Sequence, residues 1–190
     1  MEHRNQGALD FLASRRSHPP KLLTGPAPDR EELIRLLTLA ARVPDHGKLE
    51  PWRFVVLGRE TLDRLAPILR QEVLASGQDT AAAEKAASAF ASPVIVAVVS
   101  SPVDSDKIPH WEQILSAGAV CLGLVNAALA SGWGAAWLTG FAALDERFGR
   151  AHLGLKDGER VAGLVHIGTR RTAPPERPRP DIEAKTDWLP

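Results

Sequence analysis

Five short segments hold the residues that could do chemistry, and none contains a nucleophile paired with a base. Arg15, Arg16 and Ser17 stand near the end of a short helical pattern. Together they offer two guanidinium forks and a hydroxyl, a donor set suited to a phosphate, although adjacent arginines are also ordinary solvated surface. Residues 43–54, VPDHGKLEPWRF, lead from a proline-stopped helix into a tryptophan-led strand. Loop amides there, with His46 and Lys48, can hydrogen-bond the edge of a heteroaromatic ring. The plainer alternative has Trp52 in the core, Asp45 in a turn and His46 exposed. In SGWGAAWLTG, residues 131–140, the glycines allow close backbone approach before Trp137, Leu138 and Thr139. That strand end can lie beside a flat ring or be an ordinary tight connection. Arg170, Arg171, Arg177 and Arg179 make the proline-rich tail anion-seeking, or merely solubilising. Trp111 and Glu112 open an apolar helix, where a carboxylate is favoured by the helix dipole and reads as a cap.

Several reaction classes lack their residues. The six histidines have no partner at ligand spacing and there is one cysteine, so no metal site is expected. GxSxG, GxxxxGK[ST] and GxGxxG are all missing, which removes the hydrolase elbow, the P-loop and the Rossmann fingerprint. An enzyme built from this chain borrows its chemistry from a cofactor. With 23 basic and 23 acidic side chains the net charge is zero, which gives no global case for nucleic acid or an anionic membrane. Charged residues interrupt the N-terminal apolar stretch, and no apolar run is expected to reach the roughly 20 residues of a membrane span. Cys121 cannot form an internal disulfide, which fits a reducing, cytoplasmic setting.

Elements must position these residues, and 190 residues suffice for one domain spanning 1–190. Helices are predicted over 7–14, 30–42, two within 60–90 split near Gly77, 111–131 and 144–152. Strands are predicted over 52–57, 93–100, AAWLTG and 160–168. Residues 93–100, PVIVAVVS, are apolar throughout and form the best central strand. The segment 18–28, with four prolines, is expected to hold no regular structure. Helix 111–131 is apolar nearly all round and belongs in the core or a subunit interface. The order of elements gives an α+β or three-layer α/β/α domain.

Taken in order, RRS at 15–17, ARVPDHGKLEPWRF at 41–54, WEQILSAG at 111–118, SGWGAAWLTG at 131–140 and IGT at 167–169 resemble the small nitroreductase family, in particular its minimal YdjA-like members. The resemblance runs over nearly the whole chain. It implies a three-layer sandwich with a mixed central sheet in a domain-swapped homodimer, with FMN at the subunit interface. Residues 170–190 would then be an extension packing on the partner subunit. By position, Arg15, Arg16 and Ser17 would hold the FMN phosphate and ribityl chain, with Arg42 and His46 contacting the flavin. Trp137, Leu138 and Thr139 would line the isoalloxazine. Ala127, Ala128, Leu129, Ala130, Ser131 and Gly132 match the nicotinamide-nucleotide stretch of such proteins, and Arg177 and Arg179 resemble a pair closing on the phosphate. Asp45, Lys48 and Glu50 stand where many members have Ser, Asn and Gln. The first is a YdjA-like trait. A Lys48 cation near the pyrimidine edge would favour reduced flavin, an effect that pairing with Glu50 would cancel.

The implied activity takes hydride from NADH or NADPH onto flavin N5 and passes it to a nitroaromatic, quinone or similar small acceptor in ping-pong fashion. Trp111 or Phe141 would wall the substrate side. No side chain is expected to act as nucleophile or obligatory acid and base. Two readings compete with it: a flavin-binding carrier or redox sensor without turnover, and a phosphate-tethered interaction module using the Arg/Pro tail without flavin.

Overall fold

The computed structural model describes residues 4–189. His3, one of the histidines weighed for metal binding, lies outside the described residues. Helix α1 (Gln6–Ser14) starts at Asn5, whose side chain accepts from the Ala8 amide, and buries none of its residues. A 3-10 turn at Pro20–Leu22 leads into strand β1 (Leu23–Thr24). The sequence denied this proline-rich segment any regular structure. The four prolines all flank Leu23 and Thr24, whose backbone amides stay free to pair with Arg170 and Thr169 as a two-residue sheet edge.

Helix α2 (Arg30–Ala40) opens on a capping box between Asp29 and Glu32. Strand β2 (Trp52–Leu57), α3 (Arg59–Ala75), α4 (Thr80–Ala89), β3 (Val94–Ser100) and α5 (His110–Ala130) follow. Strand β4 (Gly134–Leu138) leads to α6 (Phe141–Leu144), α7 (Glu146–His152) and β5 (Arg160–Arg170). The helix expected over 144–152 is α7, which begins after extended Asp145, whose side chain caps it by accepting from the Phe148 amide; the short α6 before it was not expected.

Every strand pairing is antiparallel, in the order β1-β5-β3-β2 with β4 also on β5. Within the chain this corrects the expected mixed sheet, and the connections give the reason. The two helices α3 and α4 carry the chain away and back, so β3 begins opposite the end of β2, with Leu57 beside Ile95. The lone helix α5 sends β4 off in the same direction as β3, and β5 then fills the gap between them, antiparallel to both.

The sheet separates two cores. Ile95, Ala97 and Val99 face a cluster with α3, α4, α6 and α7. Val94, Val96 and Val98 face another with α2 and α5. All seven residues of β3 are buried, as its unbroken apolar run requires. This is the three-layer α/β/α architecture. Helix α5 corrects the membrane expectation on one point: its 21 residues are long and apolar enough to cross a bilayer. Its packing against α2, β3, β4 and β5 makes it a core helix here.

Helices α2 and α5 approach closely at Gly123, where an added Cβ would lie 2.8 Å from the Ala40 carbonyl oxygen and 3.2 Å from Ala40 Cα. Backbone cannot yield as a side-chain tip can. Gly123→Ala is therefore expected to destabilise the fold by about 1 to 3 kcal/mol, read as a lower urea midpoint at unchanged slope. An unshifted midpoint would show that the two helices are free to separate.

Candidate functional site

Arg15, Arg16 and Ser17 leave the C-terminal end of α1 and meet the tail. With Arg177, Pro178, Arg179 and Pro180 they line a cleft of about 500 Å³. Arg16 Nη2 donates to the Pro175 carbonyl at 2.9 Å, which holds the tail against α1 of the same chain. Arg15 Nη2 lies 3.3 Å from Ser17 Oγ. The Nε atoms of Arg15 and Arg16 are buried and have no hydrogen-bond partner. Arg16 Nε is 3.9 Å from Glu176 Oε1, an ion-pair distance too long for a hydrogen bond. Glu176 also receives Arg179 Nη2 at 3.0 Å. Its carboxyl is held below the usual range, chiefly by the Arg177 amide and then by the two arginines. Two unmet guanidinium donors among four arginines and a hydroxyl fit a phosphate. The helix contributes nothing to this, since a helix C-terminus carries partial negative charge and only the side chains attract the anion.

The loop after α2 is held in unusual backbone. Gly47, Lys48 and Glu50 all have positive φ, the last two at 54° and 48°. Asp45 supports the bend by accepting from the Glu50 amide at 2.9 Å. Such conformations persist where surrounding contacts impose them, and they gather at ligand sites. His46 Nδ1 lies 2.8 Å from Glu112 Oε2 in the first turn of α5, and Ser116 Oγ donates to the Pro44 carbonyl at 2.7 Å. Together with Ile108, Trp111 and Leu115 they line a second cleft, of about 400 Å³. Among the described residues no ion pair involves Lys48 or Glu50, so the cancelling pair that the sequence left open is not formed.

Trp137, 40 % exposed, lies across Gly163 of β5, where an added Cβ would sit 1.9 Å from the indole Nε1. Leu138, Thr139, Gly140, Phe141 and His166 border a third cleft of about 460 Å³ over α3 and α4. Arg42 is exposed past the end of α2 and borders none of these clefts. Ala127 and Ala128 are buried in the α2/α5 core, whereas Ala130, Ser131 and Gly132 are exposed. Their backbone closes α5: the Gly132 amide donates to the Leu129 carbonyl and the Trp133 amide to that of Ala128, with Gly132 at φ 89°. That helix end exposes carbonyl charge, which disfavours a pyrophosphate.

The nitroreductase family model matches residues 12–169. The chain belongs to the nitroreductase family. It is 36% identical over 163 residues, 85% of its length and 87% of the relative's, to YdjA of Escherichia coli (strain K12), whose name assigns it provisionally to the NAD(P)H nitroreductases. A Haemophilus influenzae protein with a name of the same kind is 39% identical over 169 residues, covering 85% of this chain and 88% of its own. The fold is shared with a nitroreductase-like protein of Bacillus cereus, at TM-score 0.78 and 22% identity over 100% of this chain and 98% of that one. A Bacteroides fragilis nitroreductase with bound FMN superposes at TM-score 0.72 and 17% identity, covering 95% and 97%.

For this nitroreductase-family chain, the five phosphate-type residues expected from the motifs, Arg15, Arg16, Ser17, Arg177 and Arg179, come together in one cleft. Arg177 and Arg179 do so although they lie beyond the matched segment. His46 and the end of β4 border separate clefts, and Trp111 and Phe141 wall different ones. Sequence reasoning missed Glu176, Ser92 and His166. A histidine inside the apolar run RVAGLVHIG was the available signal for the last, because a polar ring in a buried strand needs a partner.

That partner is Ser92, whose Oγ lies 2.9 Å from His166 Nδ1. Burial pushes the imidazole down to about 4 from 6.5. Between these values the unfolded chain binds a proton that the native ring refuses, so stability is lost as pH falls from about 6.5 to about 4. The loss reaches about 3 kcal/mol for this group. Urea unfolding of His166→Phe at pH 7 and pH 4.5 should show a clearly shallower pH dependence than the parent; parallel losses would contradict this account.

Proposed function

We propose that the chain is an FMN-dependent NAD(P)H oxidoreductase that works as a homodimer. The observation that carries the reading is the arginine cleft, in which two buried guanidinium nitrogens lack partners beside Ser17, Arg177 and Arg179. Family membership and the FMN carried by a structural neighbour support the choice of FMN among phosphate-bearing cofactors. Bound there, FMN would supply two-electron chemistry, in which hydride from NADH or NADPH would pass through N5 to a nitroaromatic, quinone or similar acceptor in ping-pong order.

The protein's part is to bind and orient. Arg15, Arg16 and Ser17 hold the phosphate and ribityl chain, and Arg177 and Arg179 close over it from the tail. Glu176 would give up the arginines to a bound phosphate, because a dianion on several forks outcompetes one exposed carboxylate. The strained loop would offer His46 and unpaired Lys48 to the ring edge, Arg42 would reach it from the exposed end of α2, and Trp137, Leu138 and Thr139 at the end of β4 would line the isoalloxazine.

These groups border different clefts of a single chain, which favours a site completed by a second copy. Apolar side chains stand exposed on α1 (Leu9, Leu12), on α5 (Trp111, Ile114, Leu115, Leu122) and on the tail (Ile182, Trp188, Leu189). A soluble chain covers such a surface by association. The extension 170–190, held at Pro175 to Arg16 of its own chain, would pack its end on the partner subunit, and the nicotinamide would be met by the exposed part of 127–132, at Ala130, Ser131 and Gly132. Buried Cys121, with its thiol pushed up to about 12, suits the reducing cytoplasm.

Arg15→Ala should weaken FMN binding by roughly 2 to 4 kcal/mol, measured by flavin fluorescence quenching. Unchanged affinity would remove Arg15 from the site. Mixed with NADH or NADPH in a stopped-flow instrument, the FMN-loaded protein should lose its yellow absorbance within seconds and regain it on adding a nitroaromatic or quinone. Flavin that binds but resists both donors would make the protein a carrier or sensor instead.

A further inference from the structure

The cleft over α3 and α4 has no part in holding the cofactor phosphate, yet it is built like a ligand site. Its floor and walls are apolar, from Leu69, Val73, Phe90, Phe141 and Leu164, and Gln78, Lys85 and Thr139 stand at its rim. At about 460 Å³ it has the size of a small-molecule pocket. One polar side chain reaches into the apolar part, that of His166, which is 1 % exposed.

The hydrogen bonding of that ring settles which kind of group it offers. Nδ1 faces Ser92 Oγ at 2.9 Å, and Nε2 has no protein partner among the described residues. Nε2 is also not among the sealed, partnerless atoms, so the cleft reaches it. Ser92 is fully buried, and its hydroxyl has no other acceptor among the described residues. If Nδ1 carried the proton, both the Ser92 hydroxyl hydrogen and the Nε2 lone pair would go unsatisfied. If Ser92 donates to Nδ1, only the Nε2 hydrogen is left over. Buried polar groups adopt the arrangement with fewer unmet bonds, so the proton sits on Nε2 and points into the cleft. Burial keeps the ring neutral at ordinary pH. Arg59 anchors the arrangement by donating to the Ser92 and Phe90 carbonyls, which holds the serine in place beneath the ring.

We propose that this cleft binds a small aromatic carbonyl compound, its rings lying against Phe141 over the buried floor of Leu69, Val73 and Phe90 and its carbonyl oxygen accepting from His166 Nε2–H. A neutral N–H at the apolar floor of the cleft, away from the Lys85 rim, selects an uncharged acceptor oxygen, since a carboxylate there would lose its solvation for one hydrogen bond. A hydrocarbon of equal shape leaves the donor unmet. The cleft shares Leu138 and Thr139 with the strand end assigned to the flavin ring, so its occupant lies next to that site. The inference stands on the cleft and its hydrogen bonds alone and does not need the flavin reading.

The test pairs two probes of nearly identical shape, 1-indanone and indane, against the full-length protein labelled with ¹⁵N-histidine. Long-range ¹H–¹⁵N spectra should show His166 as the Nε2–H tautomer, with its Nε2 signal shifting saturably as 1-indanone is added. 1-Indanone should bind about tenfold more tightly than indane, the ratio expected from one hydrogen bond. In His166→Phe that preference should vanish while indane still binds. Equal binding of the two probes to the parent protein would overturn the proposal, as would an Nδ1–H tautomer or a cleft found filled by a segment of a second copy. Should the variant not fold, the probe pair on the parent protein decides alone.

Discussion

Strand β5 lies between β3 and β4 and is bonded to both, and the protein's other features hang on that position. Inside the sheet its amides and carbonyls meet partners on two sides, so the backbone is satisfied away from water. Its side chains, with those of β3, are dealt alternately to two separate cores. That alternation places Leu164 and His166 over α3 and α4 while Val165 and Ile167 meet α5. The same strand supplies Gly163, the bare spot on which Trp137 rests, and its C-terminal end pairs with β1. One strand thus orients the candidate ring wall, the buried histidine and the segment that follows the phosphate arginines.

Charge is handled differently at the surface and inside. Glu159 is a buried carboxylate met by a guanidinium fork, its pKa held to about 2 chiefly by hydrogen bonds from Arg53, with support from Ser101 and the Lys156 amide. It is fully met, and Arg53 closes a structural corner by also donating to the Gly154 carbonyl. The arginine cleft is the opposite case, since its donors outnumber the acceptors the chain supplies. A surplus of oriented donors is costly to the free protein and useful only when an anion arrives, which is why it reads as a binding site and the Arg53–Glu159 pair does not.

The apolar face of α5 has a double role. Its inner side, Val120, Cys121, Leu124 and Ala128, fills the core, and its outer side leaves Trp111, Ile114, Leu115 and Leu122 uncovered. A helix hydrophobic all round needs cover on all sides. The sheet provides one half and the proposed second copy the other.

Much of this was legible in residue order. The unbroken apolar run 93–100 demanded a strand buried on both faces, the helical periodicity of 30–42 announced α2, and the succession of short motifs resembled the nitroreductase family. Those signals are local, set by periodicity, capping and turn chemistry within a few residues. The tertiary structure alone decided what depends on long-range closure. Only the return of the tail brings Arg177 and Arg179 to Arg15 and Arg16, and inserts Glu176 among them. Only the two-helix connection through α3 and α4, and the late insertion of β5, make the sheet antiparallel. Only packing showed that most of Ala127–Leu129 serves the core, and that Ser92 and His166, 74 residues apart, meet beneath a cleft. No sequence window contains both partners of such contacts, so no local rule could have joined them.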